Sequence, residues 1–295
     1  MQLTRAAALA AVCAGLGAAS CGFPSFDFRA TEAPLDGSPF DAADAGDAGP
    51  VTPSCTGGPT GDACKQIPAL VGTQKIDGVG DELCALPVTR FDKTTAQYDV
   101  PSPPPGDVDP RAEVRVAWSS EGLHLHVHVI DAHVVVTPAE SNILHYGDSI
   151  EVYTAGFVPT AGDYDDKTDV GAVHVIIAPP GADVGARAYV YTSRYDHLPV
   201  SLAPALYAGR LVDDGFEIEA KFSWTLISRV APPKANDSIG FTLAVNAKDD
   251  PAQEKRSLQM TFGYRSVVTP ADSCAGIAPA EPYCDDRTWC VPVLE

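Results

Sequence analysis

Apolar and polar residues alternate with a period of two over much of this chain, the signature of β-strands with one face in a core. Leu123, Leu125, Val127 and Val129 face one way, and His124, His126 and His128 the other. Glu113 to Trp118 precedes that run, and Ser119-Ser-Glu-Gly122 between the two reads as a hairpin turn. Ser149 to Tyr153, Ala172 to Ala178 and Ala186 to Thr192 read as further strands. Gly215 to Phe222 puts Phe216, Ile218, Ala220 and Phe222 on one side; Ser238 to Asn246 and Leu258 to Tyr264 close the series. Past the N-terminal stretch, no extended window keeps a helical period free of Pro and Gly. Short strands punctuated by Gly, Pro and Asp turns predict an all-β, antiparallel β-sandwich of jelly-roll-like form.

The ends of the chain do not share this pattern. Met1 to Arg5 is a short positive segment, and Ala6 to Leu16 an apolar one too short to span a bilayer. Ala18-Ala-Ser-Cys21 then resembles a bacterial lipoprotein box, which implies a signal peptide over 1–20 and lipidation at Cys21. The competing reading is an ordinary secretory signal cut nearby. Gly22 after the cysteine points to the outer membrane, within a cell envelope to which the protein is lipid-anchored. Residues 21–53 are rich in Asp, Ala, Gly and Pro with little to bury, and predict a disordered acidic linker. The remaining boundaries expected are a Cys-containing loop segment over 54–73, the sandwich over 74–268 and a Cys-rich tail over 269–295.

Composition narrows the partners. Across 295 residues, 39 acidic side chains face 20 basic ones, a net charge of −19. Such a chain repels nucleic acid and anionic headgroups, so membrane contact is expected through the lipid only. Cys55, Cys64, Cys84, Cys274, Cys284 and Cys290 form an even set outside the signal, which in an exported protein predicts disulfides whose pairing stays open. No C-x-x-C spacing favours zinc instead.

Three imidazoles on one strand face raise a metal site at His124, His126 and His128. Same-face neighbours sit roughly 6.5–7 Å apart, so two rings could share an ion, with His133, His145 or His174 as third ligand. A plain polar strand face is the simpler reading. Asp163 to Asp169 offers oxygen ligands but lacks the EF-hand pattern. Trp118 and Trp224 sit among apolar neighbours as core residues, and Trp289, beside Cys290, is expected to pack on a disulfide. No G-x-S-x-G, H-E-x-x-H, P-loop or Rossmann fingerprint occurs, so the expectation is that the protein is not an enzyme.

Four stretches together resemble family 9 carbohydrate-binding modules. They are Ile76-Asp-Gly with Asp81-Glu82, Trp118 through Gly122-Leu123 to Asp131, Asp148-Ser-Ile-Glu-Val-Tyr153, and Glu219-Ala-Lys-Phe-Ser-Trp-Thr-Leu226. The resemblance implies non-catalytic capture of an oligo- or polysaccharide, in support of polysaccharide breakdown. It casts Glu151 as acceptor for sugar hydroxyls, His145 and Tyr146 as the nearby rings where members often carry Trp, and Asn246 as a further polar partner. His126 joins them if its strand face lines the sugar. The resemblance also implies that Cys84, near a usual Trp position, bonds to the C-terminal cysteines; the Gly- and Pro-rich loop from Cys55 to Cys64 itself reads as a stapled one. No resident cofactor is implied, though structural calcium, frequent in such modules, is compatible with the Asp163 loop. Two alternatives remain. One is a haem- or metal-binding redox sandwich, with Met260 beside a histidine as axial pair. The other is a structural surface lipoprotein whose sugar site has decayed.

Overall fold

A computed structural model describes residues 51–92, 97–98, 110–138, 143–160, 171–192, 200–227, 231–263 and 285–295. The expected signal, lipid attachment and most of the linker fall outside them, as do the Asp163–Asp169 loop, Cys274 and Cys284.

Strand formation follows the alternation. In chain order the strands are β1 (Gln66–Ile67), β2 (Thr89–Phe91), β3 (Gln97–Tyr98), β4 (Arg111–Trp118) and β5 (Gly122–Ile130). Next come β6 (Ser149–Ala155), β7 (Val173–Ala178), β8 (Arg187–Tyr191), β9 (Val200–Ser201) and β10 (Tyr207–Val212). The series ends with β11 (Gly215–Ser223), β12 (Gly240–Ala247), β13 (Leu258–Phe262) and β14 (Val293–Leu294). Trp224–Ile227 forms a single helical turn, α1.

These strands make the expected all-β sandwich. One sheet has the order β10-β11-β5-β4-β2 and the other β3-β13-β12-β6-β7-β8-β9, with every pairing inside them antiparallel. Between them lies the apolar core. Leu125, Val127, Val129, Phe216, Ile218 and Phe222 from the first sheet meet Ile150, Val152, Val175, Leu243, Val245 and Met260 from the second, all fully buried. Each such side chain removed from water contributes about 1.5–3 kcal/mol. Trp224 lies in this core, while Trp118 is half-buried at its edge, its indole N–H donating to the Glu295 main-chain oxygen at 2.8 Å.

The outer face of the five-stranded sheet departs from a half-buried reading. His124, His126, His128, Arg115, Glu217 and Glu219 all point there, yet none is more than 4% exposed. Two parts of the stretch from Ser54 to Cys84, around Ser54–Gly57 and Gln74–Gly80, lie over them. Ser54 donates to Glu217 through both its N–H and its hydroxyl (each 2.8 Å), and the N–H groups of Asp77 and Gly78 donate to Glu219 at 3.1 and 2.8 Å. Gln74 bridges Glu219 and His124. Buried polar groups demand such partners; the covering segment supplies those of Glu219 and part of those of Glu217 and His124, while Asp214 meets His128 and Arg210 meets Glu217.

Cysteine pairing differs from the expectation. Cys84 bonds to Cys55, not to a C-terminal cysteine, and Cys64 bonds to Cys290, not to Cys55. The reason is placement: Cys55 and Cys84 sit at the two ends of the covering segment, while β1 pairs in parallel with β14 and brings Cys64 beside Cys290. The segments at 54–73 and 285–295 are therefore built into the sandwich body. At the end of the expected linker, the Val51 and Thr52 carbonyls accept from Asp213 N–H and Arg210.

Candidate functional site

Period two sets the outer face of the seven-stranded sheet. From β6 it takes Ser149, Glu151 and Tyr153; from β12, Asn246 and Ala244; from β7, His174; from β13, Gln259. Ala244 stands directly across from Glu151, and its small side chain leaves room for longer neighbours to reach the carboxylate.

Four side chains do so. Asn246 and Gln259 amides donate to Glu151 Oε1 at 2.8 and 2.7 Å. The Tyr153 hydroxyl donates to Oε2 at 2.7 Å, and His174 Nε2 lies 2.6 Å from the same oxygen. Arg256 Nη1 stands 3.5 Å from Oε1. Burial alone would raise the Glu151 pKa, but the hydrogen bond and charge of His174, with Arg256, outweigh it and hold the carboxyl well below its usual range. Glu151 is thus a buried carboxylate, 3% exposed. A ring ladder crosses the strands beside it: Tyr153 stacks on His174 with centroids 4.2 Å apart, and His174 on Tyr191 at 5.2 Å.

At the rim, His145 and Tyr146 meet edge to face at 4.8 Å, and the Lys255 ammonium sits 5.6 Å from the Tyr146 ring. Burial lowers the His145 pKa. Of the residues singled out in the sequence, Glu151 and Asn246 are brought into contact, with His145 and Tyr146 nearby. His126 is not among them: it lies on the other sheet, fully buried beneath the covering segment. Nor do the three strand histidines converge. His124 bonds Gln74 and Ser119, His126 faces Ser54 and Glu217, and His128 faces Asp214. Among the described residues no group of three His, Cys, Asp or Glu gathers to hold a metal. Met260 is sealed in the inter-sheet core.

Sequence reading missed Gln259, Arg256 and the network role of Tyr153 and His174. Tyr153 follows Glu151 by two and so shares its face, a signal that was available. Gln259 and His174 reach Glu151 through strand pairing within one sheet, which spacing does not reveal. Trp289 packs on Tyr153 (5.9 Å) with Ala155, Ala172 and Ala244, over the far end of the same face. A cavity of about 370 Å³ opens elsewhere, by Thr60, Asp62, Lys65, Pro87 and Glu295.

A family model described as "Carbohydrate family 9 binding domain-like" matches residues 76–262. The chain belongs to that family. No curated protein sequence matches it. Among solved structures, it is similar to a family 9 carbohydrate-binding module from Caldicellulosiruptor kristjanssonii in complex with cellotriose, at 14% identity and TM-score 0.49, covering 78% of this chain and 94% of that one. The same organism's module in complex with glucose matches at 15% identity and TM-score 0.47, covering 78% and 96%. The family match spans both sheets, from the Ile76-Asp-Gly loop over Glu219 to the end of β13. It also contains every residue of the Glu151 network.

Proposed function

We propose that this family 9 domain binds an oligosaccharide, without cutting it, on the outer face of its seven-stranded sheet. The observation that carries this reading is the meeting of Glu151 and Asn246 at 2.8 Å, from strands far apart in the chain. Around them stand rings and donors of the kind that hold sugars: apolar ring faces take C–H groups, and polar groups take hydroxyls. Among the described residues the groups hydrogen-bonded to Glu151 are amides, a hydroxyl and an imidazole and not a second carboxyl, which fits binding better than glycoside hydrolysis. In this reading Cys21 carries a lipid that tethers the domain to the cell envelope at the outer membrane, where it serves polysaccharide breakdown.

The test is a glycan array and titration calorimetry on the wild type and on Asn246→Ala. Millimolar or tighter binding to at least one oligosaccharide, lost in the variant, supports the reading; no binding to any glycan overturns it. Metabolic labelling with a radioactive fatty acid, compared with Cys21→Ser, tests the anchor. A second reading has one observation in its favour: both oxygens of Glu151 are already occupied by the protein's own donors. A surface lipoprotein with a purely structural network there would give an intact fold and an empty array.

A further inference from the structure

The cavity at the edge of the five-stranded sheet is walled by chain that the family match does not include. An arch from Thr60 to Ala69 is bridged at one end to Val88, next to β2, and at the other to Trp118 of β4. Its middle is held by the Cys64–Cys290 disulfide and by β1 against β14. Gly61 lies so close to Pro87 that a Cβ there would come within 2.5 Å of the proline's own Cβ. Of the lining, only Pro87, Thr89 and Val116 fall inside residues 76–262; the arch and Glu295 lie outside them. Walls pinned at both ends and in the middle give a preformed hollow, which lowers the ordering cost of taking up a ligand.

Its size and chemistry favour a small, neutral, hydroxyl-bearing molecule. About 370 Å³ is at the small end for ligand pockets. Ala63, Pro68, Pro87 and Val116 give it an apolar wall. Donors and acceptors are mixed around that wall. Asp62 accepts from Cys64 N–H and from Lys65 Nζ, each at 3.0 Å, so its charge is offset and the ammonium keeps protons to donate. The Thr89 hydroxyl accepts from Ala63 N–H at 2.9 Å and keeps its own proton. Among the described residues the Thr60, Gln66 and Glu295 side chains have no hydrogen-bond partner. An anion would meet the Glu295 carboxylate and a chain of net charge −19. A cation would gain little from one exposed carboxylate. Hydroxyls, which both donate and accept, match this mixture, and C–H groups match the apolar wall.

We propose that this cavity is a second saccharide site, which takes one neutral sugar ring. It is separate from the Glu151 face, which belongs to the other sheet, and either site can fail alone. The test follows the amide signals of the isotope-labelled full chain by NMR during titration with glucose, galactose, mannose and xylose, each to about 50 mM. Saturable shifts of the Gly61 and Gln66 amides are expected with at least one sugar, at a dissociation constant of about 1–10 mM. Thr60→Tyr, which adds a ring to the lining, and Gln66→Ala are each expected to weaken that binding about fivefold or more. Both positions are exposed, so an unchanged melting temperature is expected for both variants. Asn246→Ala is expected to leave the Gly61 and Gln66 shifts as they are. Glucuronate, the anionic control, is expected to cause none; binding as tight as that of glucose overturns the preference for a neutral ring. No saturable shift of these amides with any of the four sugars overturns the second site, whatever the Glu151 face binds. Shifts that survive in both cavity variants, or that Asn246→Ala abolishes, place the sugar elsewhere and overturn it as well.

Discussion

Glu151 shows what one buried carboxylate does when its partners come from four strands. Replacing it by Gln turns one oxygen into an amide that donates, facing groups that also donate. The expected cost is about 3–5 kcal/mol, the usual consequence of removing one member of a buried ionic network, read from urea unfolding at neutral pH. Linkage gives a second check. The folded carboxyl is held below its unfolded value, so its contribution is present above the unfolded pKa and fades as pH falls through the folded one. The gap between wild type and Glu151→Gln is therefore expected to narrow below pH ~4. A constant gap across that range would mean that the carboxylate's charge contributes nothing. Gly80 offers a steric counterpart. A Cβ there would lie 2.1 Å from His126 Cδ2, and that ring, fully buried, has nowhere to go. Gly80→Ala is expected to destabilise by about 1–3 kcal/mol. Combined with His126→Ala the two effects should couple by about 1 kcal/mol or more in denaturant titrations, whereas simple additivity would refute the contact.

Among the elements, the segment covering the five-stranded sheet is the least expected. Alternation made β5 and β11 legible, and the residues Ile76-Asp-Gly were legible as a motif. That the motif lies on the polar side of those same strands was not, because period two says which residues share a face and not what covers it. The asymmetry has a physical source. His124, Glu217 and Glu219 look like surface residues unless their partners, Gln74, Ser54 and the Asp77 and Gly78 amides, are known to arrive from over 40 positions away in sequence. The candidate site divides in the same way: Glu151 and Asn246 were readable within motifs, while Gln259 and His174 enter through register alone. Disulfides fix these long-range contacts. Cys64–Cys290 closes a separation of 226 residues and Cys55–Cys84 one of 29. On chain entropy their removal costs about 5 and about 3.5 kcal/mol as upper values. Cys64→Ala/Cys290→Ala is thus expected to melt lower than Cys55→Ala/Cys84→Ala, and the reverse order in calorimetry would show that native packing, not loop closure, sets their worth.

At the scale of the whole molecule a pair of buried acids, one from each sheet, meets at one end. Asp131 follows the last residue of β5 in one sheet, and Asp148 precedes the first of β6 in the other. Asp148 accepts from the Val135 and Lys248 amides, Asp131 accepts from His133, and the two buried carboxyls act on each other through their charge. Burial, then the charge of Asp131, pushes Asp148 up to about 8 against the pull of the two amides. A folded pKa raised above the unfolded one adds stability that is complete below about pH 4 and is lost as pH climbs to about 8. Burial moves His124 the other way, down to about 4, so its contribution is lost as pH falls from 6.5. Above pH 6.5 the His124 limb is finished while Asp148 still titrates. Stability in EDTA is therefore expected to decline between pH ~6.5 and ~8.5, by at most about 1.4 kcal/mol per pH unit. Asp131→Asn removes the like charge and should flatten that decline, raising the melting temperature at pH ~8 more than at pH ~6. The growing negative charge of the whole chain would also lower stability at alkaline pH, but Asp131→Asn changes that background by one charge in many. An equal shift at both pH values would assign the decline to the overall charge, and the two acids would then be ordinary hydrogen-bond acceptors.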